Sequence, residues 1–284
     1  MSARAQLLGF GQKLEVSLTG GGIASHHRLG SRITMRDAQI LAPWPNRIAN
    51  GRYSFAGKHY DLPINEPSGG NAIHGLVRAL PCLIHFQDET HLELTAQLEP
   101  SAGYPFALHF RIFYTLLPAG LAVEVHTTNR STEACPYGIG MHPYFFFAGL
   151  AVDALCLHAP ATKWIANDAR NLPLLTRAVD ATAFDFREPQ LIGSRVLDNA
   201  LTDFARDSAG EAICTVSGGG ESIRVSFGSP YAQMYTSDTV PAHRQALAVE
   251  PMTCPANAFN SGEALVVLAA GATHVFAWRA LPSS

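Results

Sequence analysis

Glu250 interrupts the apolar run Ala246-Leu247-Ala248-Val249 and stands directly before Pro251. A carboxylate among such neighbours is costly to bury unless it is paired or functional. Desolvation disfavours its charged form, which raises the pKa and makes it a stronger base than a surface Glu. A structural ion pair is the alternative role. His142 lies in Gly138-Ile139-Gly140-Met141-His142-Pro143-Tyr144-Phe145, where Pro143 biases it toward extended backbone. Apolar and aromatic neighbours lower the pKa of an unpaired imidazole, and a nearby carboxylate raises it again. The ring either trades protons near neutrality or sits as a hydrogen-bonded core histidine.

Three further places offer groups that suit a hydroxylated ligand. In Ala42-Pro43-Trp44-Pro45-Asn46-Arg47, two prolines stiffen the backbone and set the directions of Trp44, Asn46 and Arg47. Arg47 presents a planar fork of donors for sugar oxygens, or else decorates a stiff surface loop. His74 follows the Gly69-Gly70 turn in Asn71-Ala72-Ile73-His74-Gly75, at a strand or loop edge where a ligand can come close, and a structural histidine is the other reading. Asp198 follows Val196-Leu197, as a hydroxyl-binding acid or as a turn residue. His26 and His27 are adjacent, but no HxH, HExxH or His/carboxylate cluster of ligand spacing occurs, so no metal site is expected.

The elements that must position these residues are strands. His91 to Leu98 alternates polar and apolar side chains, and Phe106 to Tyr114 does so over a longer span. A Pro118-Ala119-Gly120 turn leads into Leu121-Val123-Val125, which predicts a hairpin. Ile213 to Val216 and Ile223 to Phe227 flank Ser217-Gly218-Gly219-Gly220 as a second hairpin, and Tyr53-Phe55 with Tyr60-Leu62 form a third. Leu265 to Leu268 and His274 to Trp278 read as two closing strands. Helical periodicity is scarce, with one short turn expected between Pro255 and Asn260. The expectation is an all-β fold, with residues 1–284 as a single domain of packed antiparallel sheets.

Bulk properties exclude several classes. The net charge is −3 without a block of like charges, so neither nucleic acid nor a membrane surface is an expected partner. No apolar run reaches the ~18 residues of a membrane span, and the amino-terminal stretch carries no secretion signal. Five scattered cysteines without a CxxC fit reduced thiols, and the expected location is the cytoplasm. No GxGxxG follows a strand and no GxxxxGK[ST] occurs, so no nucleotide cofactor is expected. Nothing in the sequence specifies an oligomeric state.

Together these segments and their order resemble the aldose 1-epimerase (galactose mutarotase) family, from about residue 14 to residue 280. Pro43 to Leu62 resembles its Asn-Arg segment and first hairpin. Asn71 to Leu76 resembles its Asn-x-x-His-Gly motif, and Gly140 to Phe145 its Gly-x-His-Pro-Tyr-Phe motif. Ala248 to Gly262 resembles its Glu-Pro-x-Thr segment and the Ala-Phe-Asn that follows. The resemblance implies a large antiparallel β-sandwich of the galactose mutarotase-like supersandwich type, with an open sugar cleft. It implies Glu250 as general base and His142 as general acid in mutarotation, with no cofactor. Arg47, His74, Asp198, Asn46 and Tyr144 become the sugar-binding set, with Trp44 or Tyr144 stacking on a sugar face. The acid and base are expected on opposite sides of the anomeric centre. Asn199 and Cys82 depart from the His and the aromatic residue common at those places, which bears on sugar preference. Alternatives on the same scaffold are a non-catalytic sugar-binding protein and a hexose 6-phosphate mutarotase, the latter drawing on Arg28, Arg32 and Arg36 as a phosphate pocket.

Overall fold

Strands form where the sequence alternates. In the computed structural model, which describes residues 3–240 and 243–283, His91–Leu98, Leu108–Leu117 and Gly120–Asn129 run consecutively and antiparallel. Leu92, Leu94, Phe110, Ile112, Tyr114, Val123 and Val125 are buried on one face. The other two predicted hairpins also form, as Ala212–Gly218 with Glu221–Phe227 and Arg52–Phe55 with Lys58–Asp61. The two closing strands separate. Val266–Leu268 pairs with Cys135–Tyr137, whereas Thr273–Ser283 inserts between Gly120–Asn129 and Glu221–Phe227. The one α-helical turn among the described residues is Ala258–Ser261.

Two large antiparallel sheets result, with ten and nine strands. Their inner faces share one hydrophobic core, and Trp278 Nε1 of the nine-stranded sheet donates to Met141 Sδ of the ten-stranded sheet at 3.0 Å. The fold is thus the all-β sandwich that the alternation demands. All five cysteines are free, and four of them are buried. No helix among the described residues is long and apolar enough to cross a membrane.

The middle of the ten-stranded sheet positions the polar residues. There Gly140–Phe147 lies between Ile33–Leu41 and Ala246–Met252, and Tyr231–Tyr235 and Asp198–Phe204 follow outward. Met141, Phe145 and Phe147 point into the core, so His142 and Tyr144 point to the opposite face. Gly140 pairs with Met252 and Tyr144 with Ala248, a register that sets His142 opposite Glu250. Gln233 pairs with Glu250 on the other side, and Asp198 pairs with Tyr235. Directly opposed residues in an antiparallel pair share a face. Pro143 cannot donate to the ladder, and the pairing with Ile33–Leu41 breaks into a bulge between His142 and Tyr144.

The loop after Asn71–Ile73 is held against the Pro43-Trp44-Pro45 segment by backbone contact. Leu76 and Val77 both donate to the Ala42 carbonyl, at 2.7 and 3.0 Å, and His74 N donates to Asn46 O at 2.8 Å. Gly75 has φ +64, and a Cβ there would stand 2.1 Å from the Ala42 oxygen. Gly75→Ala therefore meets both a left-handed backbone and a backbone clash, and it should cost about 1–3 kcal/mol or more. A fall in the urea midpoint checks this, and a midpoint equal to that of the parent contradicts it.

Candidate active site

Asn46, Arg47, His74, His142, Tyr144, Asp198 and Glu250 all line one cleft on the outer face of the ten-stranded sheet. Its volume of about 180 Å³ is smaller than the ~300–1,000 Å³ of sites that take drug-sized ligands. Gln233, Tyr235, Ile73, Thr239 and Val240 complete the wall.

Glu250 is 2% exposed, and its Oε1 stands 3.2 Å from His142 Nε2. Burial drives the Glu250 carboxyl well above its ordinary pKa. The nearby Asp198 charge adds to the rise, and Arg47 opposes it. Burial also lowers the His142 imidazole to about 4. Both shifts favour uncharged forms, so the pair holds one proton on the carboxyl facing the ring nitrogen. The imidazole and carboxylate are in contact, and the expected separation across the width of the cleft is corrected: opposed positions on neighbouring strands bring the two tips together. Tyr144 stacks on His142 with ring centroids 4.5 Å apart, and its hydroxyl lies 3.5 Å from His142 Nε2. Burial keeps that hydroxyl protonated.

His74 approaches the same imidazole edge-on, with ring centroids 5.5 Å apart. Its φ of 63° comes from the tight loop before Gly75. Burial, with His142, Arg47 and Arg78 nearby, holds the His74 imidazole well below its ordinary pKa, so it remains neutral. Its Nδ1 is buried without a hydrogen-bond partner among the described residues.

Asp198 opens the strand Asp198–Phe204, with each carboxylate oxygen held by an amide: Gln233 Nε2 at 2.7 Å and Asn171 Nδ2 at 2.9 Å. Burial raises its pKa against the pull of Arg47. Asn199 points away and donates to the Ile165 carbonyl at 2.8 Å. Arg47 binds Glu66 through Nε and Nη2 and Asn46 Oδ1 through Nη1.

Two expectations need correction. Trp44 does not line the cleft: it is 3% exposed and packs edge-on against Phe259 at 5.8 Å, because the two prolines turn it into the core. Tyr144 and Tyr235 are the rings that face the opening. Arg28, Arg32 and Arg36 also lie outside its lining, with Arg32 bound to the Ala148 carbonyl and Arg36 placed over Phe146. Arg47 is the one Lys or Arg among the lining residues. Among the described residues no group of three or more His, Cys, Asp or Glu is arranged to hold a metal ion.

Sequence reasoning passed over Gln233, Tyr235, Asn171 and Glu66. Gln233 carried a signal of the same kind as Glu250, a polar residue inside the apolar strand Tyr231–Tyr235. Tyr235 lies on that same strand, and the Asn171 and Glu66 contacts arise where separate loops meet.

The antiparallel two-sheet sandwich is a fold already known in structures. The GalM/aldose epimerase homologue from C. elegans superposes with a TM-score of 0.87, at 18% identity over 99% of each chain. A galactose mutarotase-like protein from Clostridium acetobutylicum gives 0.85, at 16% identity over 100% of this chain and 99% of that one. Residues 9–279 match the aldose 1-epimerase family. This chain belongs to that family. The YihR protein of Escherichia coli K12 is 38% identical over 237 residues, covering 83% of this chain and 76% of YihR. Mouse galactose mutarotase is 27% identical over 209 residues, covering 68% of this chain and 60% of the mouse protein.

The raised Glu250 pKa makes a stability prediction. The unfolded carboxyl ionises near its ordinary value of about 4.3, while the folded one keeps its proton to higher pH. Above the unfolded value the unfolded state therefore binds fewer protons, and folding loses stability as pH rises. Glu250→Gln removes this loss, so its melting temperature should gain on the parent as pH rises above about 5. A difference that stays constant with pH contradicts the shift.

Proposed function

We propose that this protein is an aldose 1-epimerase that interconverts the α and β anomers of a free aldose, with residues 1–284 acting as one domain. The observation that carries the reading is the 3.2 Å contact between Glu250 and His142 on the floor of the cleft. A purely binding site gains nothing from burying such a pair, which is costly to desolvate.

Mutarotation moves two protons and one carbon–oxygen bond. Ring opening takes the proton of the anomeric hydroxyl O1 to Glu250 while His142 Nε2 gives a proton to the ring oxygen O5. The C1–O5 bond breaks and C1=O1 forms. Rotation about C1–C2 then presents the other face of the aldehyde. Closure returns the O5 proton to His142 and the Glu250 proton to O1. O1 and O5 are bonded to the same carbon, so a base and an acid in mutual contact reach both. Wide separation is unnecessary.

The proton count fits the reversal of the usual order of the two pKa values that burial brings about. The carboxylate–imidazolium form opens the ring, and the carboxylic acid–imidazole form is left after opening. These are tautomers that hold one proton between them, so the pair keeps the same net charge throughout. Shift of that proton across the 3.2 Å contact arms the resting pair. Arg47 and His74 donate toward the oxygen on which charge grows, where preorganised donors in a dry site act most strongly. Asp198, steadied by Gln233 and Asn171, accepts from sugar hydroxyls. Asn46 orients Arg47 at the wall, and Tyr144 offers its ring face.

Freshly dissolved α-glucose or α-galactose followed by polarimetry tests this reading. Glu250→Gln and His142→Ala should each lower kcat by about 10²–10⁴-fold, the worth of a positioned proton transfer, while both variants stay folded. Near-parental rates in both would remove the mechanism. The pH profile of kcat/KM should be bell-shaped. Its acid limb falls as His142 takes a second proton toward about 4, and its alkaline limb falls where Glu250, raised above the usual carboxylate range, loses the last one. A profile flat across both limbs would contradict the one-proton pair.

A further inference from the structure

We propose that Glu66, which does not line the cleft, is a positioning residue that aims the guanidinium of Arg47 at the sugar. The inference rests on the reading of Arg47 as a sugar-contacting group. Glu66 Oε1 accepts from Arg47 Nε at 3.0 Å and from Nη2 at 2.8 Å, and Oε2 also lies 3.0 Å from Nε. Arg47 Nη1 donates to Asn46 Oδ1 at 3.0 Å. Nε, Nη2 and Nη1 each commit one of the five N–H groups of the fork, and two remain for a ligand. The side chains of Arg47 and Glu66 are only 11% and 20% exposed, so the pair differs from the open surface ion pairs that contribute little.

The loop around Glu66 is built to hold this carboxylate. Glu66 and Asn71 exchange backbone hydrogen bonds at 3.1 and 3.2 Å, closing the segment on itself. Asn71 Nδ2 donates to Glu66 Oε2 at 2.7 Å. Gly69 leaves room for that bond, because a Cβ there would stand 2.6 Å from Asn71 Nδ2 and 2.7 Å from Glu66 Oε2. Arg170 clamps the segment from outside, donating to the Gly69 carbonyl at 2.7 Å and to Asn71 Oδ1 at 3.1 Å. Burial pushes the Glu66 carboxyl up, but the bonds from Arg47 and Asn71 and the charges of Arg47 and Arg170 outweigh it, so it stays ionised.

Arg47 has another anion to turn to. Its charge already acts on Asp198. Without Glu66, the freed Nε and Nη2 would be drawn toward that carboxylate, which the sugar needs. Glu66 thus keeps the single Lys or Arg of the cleft lining pointed across the opening while leaving Asp198 available.

Glu66→Gln, Glu66→Asp and Arg47→Gln test this on the full chain with α-glucose and α-galactose. Glu66→Gln should lower kcat/KM about tenfold, the scale of a lost charge-assisted contact. Glu66→Asp should recover part of the loss. In the Arg47→Gln background, Glu66→Gln should add less than about twofold, since both changes remove one interaction. Parental kcat/KM in Glu66→Gln, or losses that multiply in the double variant, would overturn the proposal while leaving the function intact. A parent inactive on every aldose would instead sink the function. The Arg47 Nε–H resonance then still decides on Glu66: it should be sharp and slowly exchanging in the parent and lost in Glu66→Gln, and an unchanged resonance overturns the positioning role.

Discussion

Everything in the cleft depends on one cross-strand register. Gly140–Phe147 and Ala246–Met252 pair so that two polar interruptions of apolar strands, His142 and Glu250, stand opposite each other on the face away from the core. A slip of either strand by one residue would turn its polar side chain into the hydrophobic interior and expose Met141 or Val249 instead. The core therefore specifies the site. Burying Met141, Phe145 and Leu247 is what holds the imidazole against the carboxylate. The same burial removes water from the pair and reverses the usual order of the two pKa values.

Strands set the acid–base pair, and loops set what surrounds it. Asp198 is fixed by one amide from a strand, Gln233, and one from a turn, Asn171. Arg47 is held by a loop that the neighbouring residue Arg170 of that same turn clamps. The turn at Asp168 to Leu172 consequently ties the two flanks of the cleft together, with Asp168 Oδ1 capping its own backbone at Arg170 and Leu172. Rigid sheet positions suit proton transfer, where small displacements are costly. Loop positions suit ligand selection, where related proteins vary.

Much of the architecture was legible because period-two alternation survives folding almost unchanged, as in Leu108–Leu117. Which sheet a strand joins was not legible. Val266–Leu268 and Thr273–Ser283 are neighbours in sequence yet pair with different partners, because pairing is decided by non-local burial. Glu250 and His142 stood out as polar residues beside prolines in apolar strands, and the cleft does gather them with Arg47, His74 and Asp198. Their distance could not be read, since it follows from a register between strands about a hundred residues apart. Trp44 misled because a proline-stiffened aromatic suits a core as well as a sugar platform. Glu66 left no mark in the sequence: an acid in a Pro- and Gly-containing loop looks like solvent until three loops meet.

The location of the shared proton tests the account most directly. Selective labelling of glutamate carboxyl carbons and histidine ring nitrogens, with Glu250→Gln and His142→Ala for assignment, would report both partners in one sample at neutral pH. The account predicts a protonated Glu250 carboxyl facing an uncharged His142 ring, one proton for the two groups, until the ring takes up a second only in acid. An ionised carboxylate beside an uncharged ring at neutral pH would leave the pair without a proton to pass to the ring oxygen, and would contradict it.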